Sequence, residues 1–277
     1  MAIMSRRLHF AAMALLLSAV GGAKAEPASP WTEGFHSRVR LVSAGTQGGH
    51  LLAGVEIALD PGFKTYWRDP GESGLPPRFT WAESENAGDI DLRWPAPERS
   101  EDAGGVAHGY HDRVVFPVLV EPKDRSRPTT LALTVDYGVC RDICIPAHAD
   151  LTLVLTGDEG QRPLVETWLD RVPRPQALGA PEALSVLAVE PAPPGGKPAF
   201  TVAVRAPPGI RPALFVEGPE NWYFSTAGVP TDGRFLVTVE ERPKDAAGEI
   251  PLRFTLVAGS HGIETSMRLD PSRWNGR

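Results

Sequence analysis

The stretch YGVCRDICIPAHADL, from Tyr137 to Leu151, holds both cysteines of a 277-residue chain. Cys140 and Cys144 stand four positions apart, and three chemistries suit such a pair: a structural disulfide, a metal site, or reversible thiol–disulfide exchange. In an extended strand, residues four apart lie about 13 Å from each other, whereas a disulfide needs Cα atoms within about 7 Å. A bond between them therefore requires Arg141, Asp142 and Ile143 to turn the chain back. Pro146 lacks a donor and disfavours the helical conformation at Ile145. The expectation is a compact turn between a strand ending near Tyr137 and one starting near Asp150.

Loop arithmetic makes the pair a weak staple. Closing a loop of about five residues is worth roughly 2 kcal/mol, against about 4.7 for one of 100 residues. As an exchange pair the spacing is useful, because a tight turn keeps one thiol ready to resolve a mixed disulfide formed by the other. Arg141 favours a thiolate and Asp142 opposes one. The metal alternative uses Cys140, Cys144 and His148, which repeat every four residues; thiolate and imidazole suit Cu(I) or zinc. A closed zinc site wants four ligands, and no second Cys/His cluster is evident. Exchange chemistry is the preferred reading and needs no cofactor, with Cu(I) as the alternative.

Two segments could line such a site. In GFKTYWRDPGESGLPPRFTW, Gly62 to Trp81, Tyr66 and Trp67 precede the turn Asp69-Pro70-Gly71 and could wall a binding surface. Phe79 and Trp81 alternate as strand residues and are expected in the core. In GGVAHGYHDRVVFPV, Gly104 to Val118, glycines flank His108 and Tyr110, so the segment reads as a loop that could act as a lid before it becomes a strand. His50 and His261 are isolated. There is no hydrolase serine elbow, phosphate loop or C-x-x-C motif.

The elements that must position these residues are mostly strands. Leu131, Leu133, Val135 and Tyr137 alternate with polar residues, as do Leu151, Leu153 and Leu155. Similar runs are RVRLVSA, HLLAGVEIALD, RFTWAE, DIDLRW and VVFPVLVE, making about seven strands before Gly157 in an antiparallel sandwich. QRPLVETWLDRVPRP places Leu164, Val165, Trp168, Leu169 and Val172 on one helical face, with Pro163 at its start and Pro173 ending it. A proline-rich linker follows, so residues 158–182 read as helix and linker. FTVAVRA, ALFVEG, RFLVTVE, IPLRFTLVAG and IETSMRL then form a second, smaller β-sandwich over 183–277.

Residues 1–25 read as a secretory signal: Arg6 and Arg7, an apolar run, then Ala23-Lys24-Ala25 as the cleavage site. No later apolar stretch reaches the roughly 20 residues of a membrane span. The formal net charge is −6, and loss of Arg6, Arg7 and Lys24 makes it more acidic. No basic block remains, which argues against nucleic acid and anionic membrane surfaces as partners. The expectation is an exported, periplasmic protein in which a disulfide can form.

VCRDICIPA (Val139–Ala147), with KTYWRDPGESGLPP (Lys64–Pro77) and the strand before the first cysteine, resembles the amino-terminal periplasmic domain of the DsbD family of thiol:disulfide interchange proteins, in its ScsB-like branch. The resemblance covers most of Trp31 to Gly157 and extends more weakly through WLDRVPRP and GPENWYFS. It implies an immunoglobulin-like sandwich that acts as a protein-disulfide reductase, a relay with Cys140 and Cys144 as the exchanging pair. It implies Tyr66 at the site and the His108–Tyr110 segment as a shielding cap. The implied partners are a membrane thiol reductase and periplasmic thioredoxin-like or other disulfide proteins. Familiar members space the cysteines further apart and carry a multi-helix membrane domain, so here a separate membrane protein would supply the electrons.

Overall fold

The computed structural model describes residues 26–72, 74–102, 105–193, 196–246, 248–271 and 274; the signal segment expected over 1–25 lies outside them. The first part of the chain runs β1 (Thr32–Gly34), β2 (Ser37–Gln47), β3 (His50–Leu59), β4 (Lys64–Gly71), β5 (Arg78–Thr80), β6 (Ala87–Leu92), β7 (Glu98–Asp102), β8 (Gly105–His111), β9 (Arg113–Pro122), β10 (Thr129–Cys140) and β11 (Cys144–Leu155). A helix, α1 (Arg162–Leu169), follows. The remainder runs β12 (Arg174–Pro175), β13 (Ser185–Pro191), β14 (Ala199–Arg205), β15 (Pro212–Glu217), β16 (Tyr223–Thr226), β17 (Arg234–Glu241), β18 (Ile250–Ala258) and β19 (His261–Leu269).

Two facing sheets make the first sandwich. One has the order β1-β2-β3-β9-β6; the other has the order β11-β10-β4-β8-β7, with β5 also paired to β10. Alternation explains the layering. Val39, Leu41, Val55, Ile57, Val114 and Phe116 point inward from the first sheet and meet Leu131, Leu133, Val135, Leu151 and Leu153 from the second, all buried. The structure adds four strands, β1, β4, β7 and β8, to the seven expected. β4 and β8 are covered on both faces, so their sequences do not alternate.

Among the described residues α1 is the only helix. It ends at Leu169, short of the expected Val172, and it is not a free connector. Val165 and Trp168 bury it against the outside of the first sheet, where Gly54 leaves room: a Cβ there would stand 3.1 Å from Val165. The segment after it is likewise tied down, because β12 pairs in parallel with β19.

The second sandwich stacks sheets of order β12-β19-β18-β15 and β13-β14-β17-β16 around Phe200, Val202, Phe235, Val237, Leu214, Phe254 and Leu256. Its β15 is buried on both faces. Leu214 and Val216 enter its own core, while Phe215 joins the core of the first sandwich. The two sandwiches therefore share an apolar seam.

Candidate functional site

β10 and β11 form one long hairpin whose register runs from Thr129↔Leu155 to Cys140↔Cys144. The cysteines are the last pair of the ladder, and Arg141, Asp142 and Ile143 close its tip. Their Cα atoms lie 4.2 Å apart and the sulfurs are joined in a disulfide. The expected turn is thus tighter than sequence suggested, since the strands continue to the cysteines themselves. Pro146 sits inside β11, where it is tolerated because β11 is the outermost strand of its sheet.

The two sulfurs have different surroundings. Cys140 is 2 % exposed and packs with Tyr66 and Ala107. Cys144 is exposed. The Tyr66 hydroxyl donates to Cys144 Sγ at 3.0 Å, and Tyr66 is itself buried. Tyr66 pairs with Gly109 across β4 and β8. A Cβ at Gly109 would fall 2.1 Å from the Thr65 carbonyl oxygen, so the strand that carries Tyr66 needs glycine opposite it. Gly109→Ala is expected to cost about 3 kcal/mol through overpacking against rigid backbone, measured as a lower urea midpoint with unchanged slope.

The cover over this face comes from the segment after β4. Gly74 lies against the Tyr66 ring, where a Cβ would come within 2.4 Å, and Leu75 lies over Gly138, where a Cβ would meet its side chain at 2.9 Å. The Glu72 amide donates to the Val106 carbonyl, and the Glu72 carboxylate accepts from the Val106 amide, pinning the start of this segment to β8. Gly74, Leu75 and Gly138 are site residues beyond those expected. Only Gly138, inside β10, carries a sequence signal: a glycine in a strand marks close approach of another segment.

The His108–Tyr110 segment is not the lid expected of it. Residues 105–111 are strand β8, and both side chains are buried. Tyr110 donates to the Pro95 carbonyl at 2.8 Å and packs edge-on against Phe116, inside the core. His108 packs edge-on against Phe215 of the second sandwich and donates through Nδ1 to the Asp69 carbonyl. Trp67 also leaves the site. It is fully buried, faces Phe215 at 5.6 Å between ring centroids, and anchors the seam. Arg141 and Asp142 do flank the disulfide. They pair with each other in solvent, with Arg141 held over the Phe63 ring.

His148 does not join the cysteines. It lies four residues along β11 from Cys144, about 13 Å in a strand. Its Nδ1 meets Asp136 at 2.7 Å and its Nε2 meets Asp150 at 3.4 Å, and these two carboxylates raise its pKa. Both ring nitrogens are thus engaged. Among the described residues no group of three His, Cys, Asp or Glu side chains is placed to hold a metal.

Burial lowers the His108 pKa to about 4, with the nearby Arg99 acting in the same direction and the hydrogen bond to Asp69 opposing. An unfolded histidine titrates near 6.5. Below that pH the unfolded chain binds a proton that the folded chain does not, so stability falls as pH drops from about 6.5 towards 4. The expected loss between pH 7 and pH 4.5 is about 2–3 kcal/mol. Urea melts at both pH values should show this component in the native protein and lack it in His108→Gln.

Comparison with known proteins fits this geometry. Residues 36–156 match the sequence model of the family described as "Thiol:disulfide interchange protein DsbD, N-terminal". That segment is similar to the amino-terminal domain of the DsbD family. It takes in both sheets of the first sandwich, the Tyr66 strand and the whole cysteine hairpin. The fold of the chain is also that of the N-terminal periplasmic domain of ScsB from Proteus mirabilis, at 22 % identity and a TM-score of 0.68, over 88 % of this chain and 99 % of that one. The likeness spans both sandwiches. No curated protein matches the chain. Among the described residues no helix is long and apolar enough to cross a membrane.

Proposed function

We propose that this chain is a periplasmic thiol:disulfide interchange protein. Its Cys140–Cys144 pair passes reducing equivalents from a membrane thiol reductase to periplasmic thioredoxin-like proteins. The observation that carries the reading is the unequal exposure of two bonded cysteines at a hairpin tip. An exposed Cys144 meets the partner, and a buried Cys140 stays behind to resolve. The DsbD-family match of the first sandwich and the periplasmic ScsB domain of the same fold support the compartment and the partner class.

The steps balance as two-electron exchange. In the dithiol form, the Cys144 thiolate attacks one sulfur of a partner disulfide, and the partner's other sulfur leaves as thiolate. The Cys140 thiolate then attacks Cys144 Sγ, the Cys140–Cys144 bond forms, and the second partner sulfur leaves. The partner is reduced and this chain is oxidised. Loading by the membrane reductase is the same sequence in reverse. Tyr66 supports both directions by holding Cys144 Sγ in place and covering Cys140.

The reduction potential tests the reading. Equilibration with glutathione and dithiothreitol mixtures should place it above about −300 mV, where exchanging pairs lie. A value below that would assign the disulfide a purely structural role.

A further inference from the structure

Lys64 is 7 % exposed. β10 meets β4 at one register pair, Cys140↔Lys64. Residues directly opposite in an antiparallel pair point to the same face, with Cβ atoms about 4.5–5.5 Å apart. Lys64 is also two positions from Tyr66, so it shares the face on which Tyr66 touches both cysteines. The largely buried Lys64 therefore stands next to Cys140 in the sheet, on the face of the sulfur that solvent does not reach.

We propose that Lys64 is the electrostatic partner of the Cys140 thiolate. This rests on the exchange reading above. When a partner thiolate attacks Cys144 Sγ, the new bond forms at Cys144 and the electron pair of the old bond leaves on Cys140. That charge appears in a site closed to bulk water, where burial alone raises a thiol's pKa. The Lys64 ammonium offsets the cost, so Cys140 leaves faster. In the reverse direction it keeps Cys140 ionised for attack on the mixed disulfide.

The other groups around Cys140 do not replace it. Tyr66 is a neutral donor engaged with Cys144. His111 lies opposite Lys64 on the far side of β4. Arg141 and Asp142 stand in solvent and pair with each other, where screening is strong.

Lys64→Met and Lys64→Arg in the full chain test the assignment. In a Cys144→Ser background, thiolate absorbance against pH reports the Cys140 thiol. In the two-cysteine chain, the rate of disulfide reduction by dithiothreitol reports leaving. Lys64→Met should raise the Cys140 pKa by about one unit and slow reduction by about three- to tenfold, while Lys64→Arg keeps both near the native values. An unchanged pKa and rate in Lys64→Met would overturn the proposal. So would an equal rise in both variants, which would point to packing alone. Should Lys64→Met fail to fold, Lys64→Gln, which removes the charge and keeps a polar group, takes its place with the same expected rise and the same overturning result. The thiolate titration uses no protein partner, so it can fail while exchange with thioredoxin-like proteins holds, and the reverse.

Discussion

Cys140→Ser is expected to turn a transient intermediate into a stable product. The exposed Cys144 remains able to attack a partner disulfide, but no thiol follows to break the adduct, so a mixed disulfide on Cys144 accumulates. Cys144→Ser should do the opposite. Its remaining thiol is 2 % exposed, beneath Tyr66, and a protein disulfide cannot reach it. Adduct yield should be near complete in the first variant and reduced by more than about a hundredfold in the second, since exchange depends on access to the attacked sulfur. Non-reducing gels after alkylation read both. Equal trapping by the two variants would remove the assignment of roles. Loss of either cysteine should cost only about 2 kcal/mol of stability because the closed loop is so short, so both variants remain foldable.

The second large effect concerns the seam. Arg68→Met is expected to destabilise the protein by about 2–3 kcal/mol. Arg68 donates to both oxygens of Glu217 at 2.8 and 2.7 Å, and to Glu264 at 2.5 Å, across the two sandwiches. Its guanidinium also lies over the Trp67 ring. Burial pulls the Arg68 pKa down, and the two glutamates more than offset it, so the net shift is upward. Removing the cation leaves two carboxylates facing each other in a partly closed site. Breaking a fully buried pair this way costs about 3–5 kcal/mol. Here the three side chains are about a fifth exposed, and Arg253 approaches both glutamates, which lowers the figure. Urea unfolding measures the loss. Glu264→Gln should cost less than Arg68→Met, because Glu217 still pairs with the arginine in both of its short contacts.

The reach of the sequence followed burial. β10 and β11 were legible because each has one wet face, so Leu131, Leu133 and Val135 alternate with polar neighbours. β4 and β8 were not, because the segment carrying Gly74 and Leu75 covers their outer face and removes the alternation that marks a strand. The same cover explains the misplaced lid. The glycines around His108 looked like hinges, yet Gly109 is there so that β8 can approach the Thr65 carbonyl. Tyr66 and Trp67 were singled out together, but adjacent strand residues point to opposite faces. One reaches the disulfide and the other reaches Phe215. The metal alternative depended on a four-residue repeat that brings residues together only on a helix, and on strand β11 it separates His148 from the cysteines.

Direct transfer of reducing equivalents tests the central claim most closely. The fully reduced protein would be mixed with an oxidised thioredoxin-like protein, quenched with acid and alkylated, and the disulfides of both chains counted over time. The expected result is one Cys140–Cys144 disulfide formed for each partner disulfide lost, passing through an adduct on Cys144. A reduced Cys140–Cys144 pair that persists beside an oxidised partner, with no adduct at any time, would contradict it.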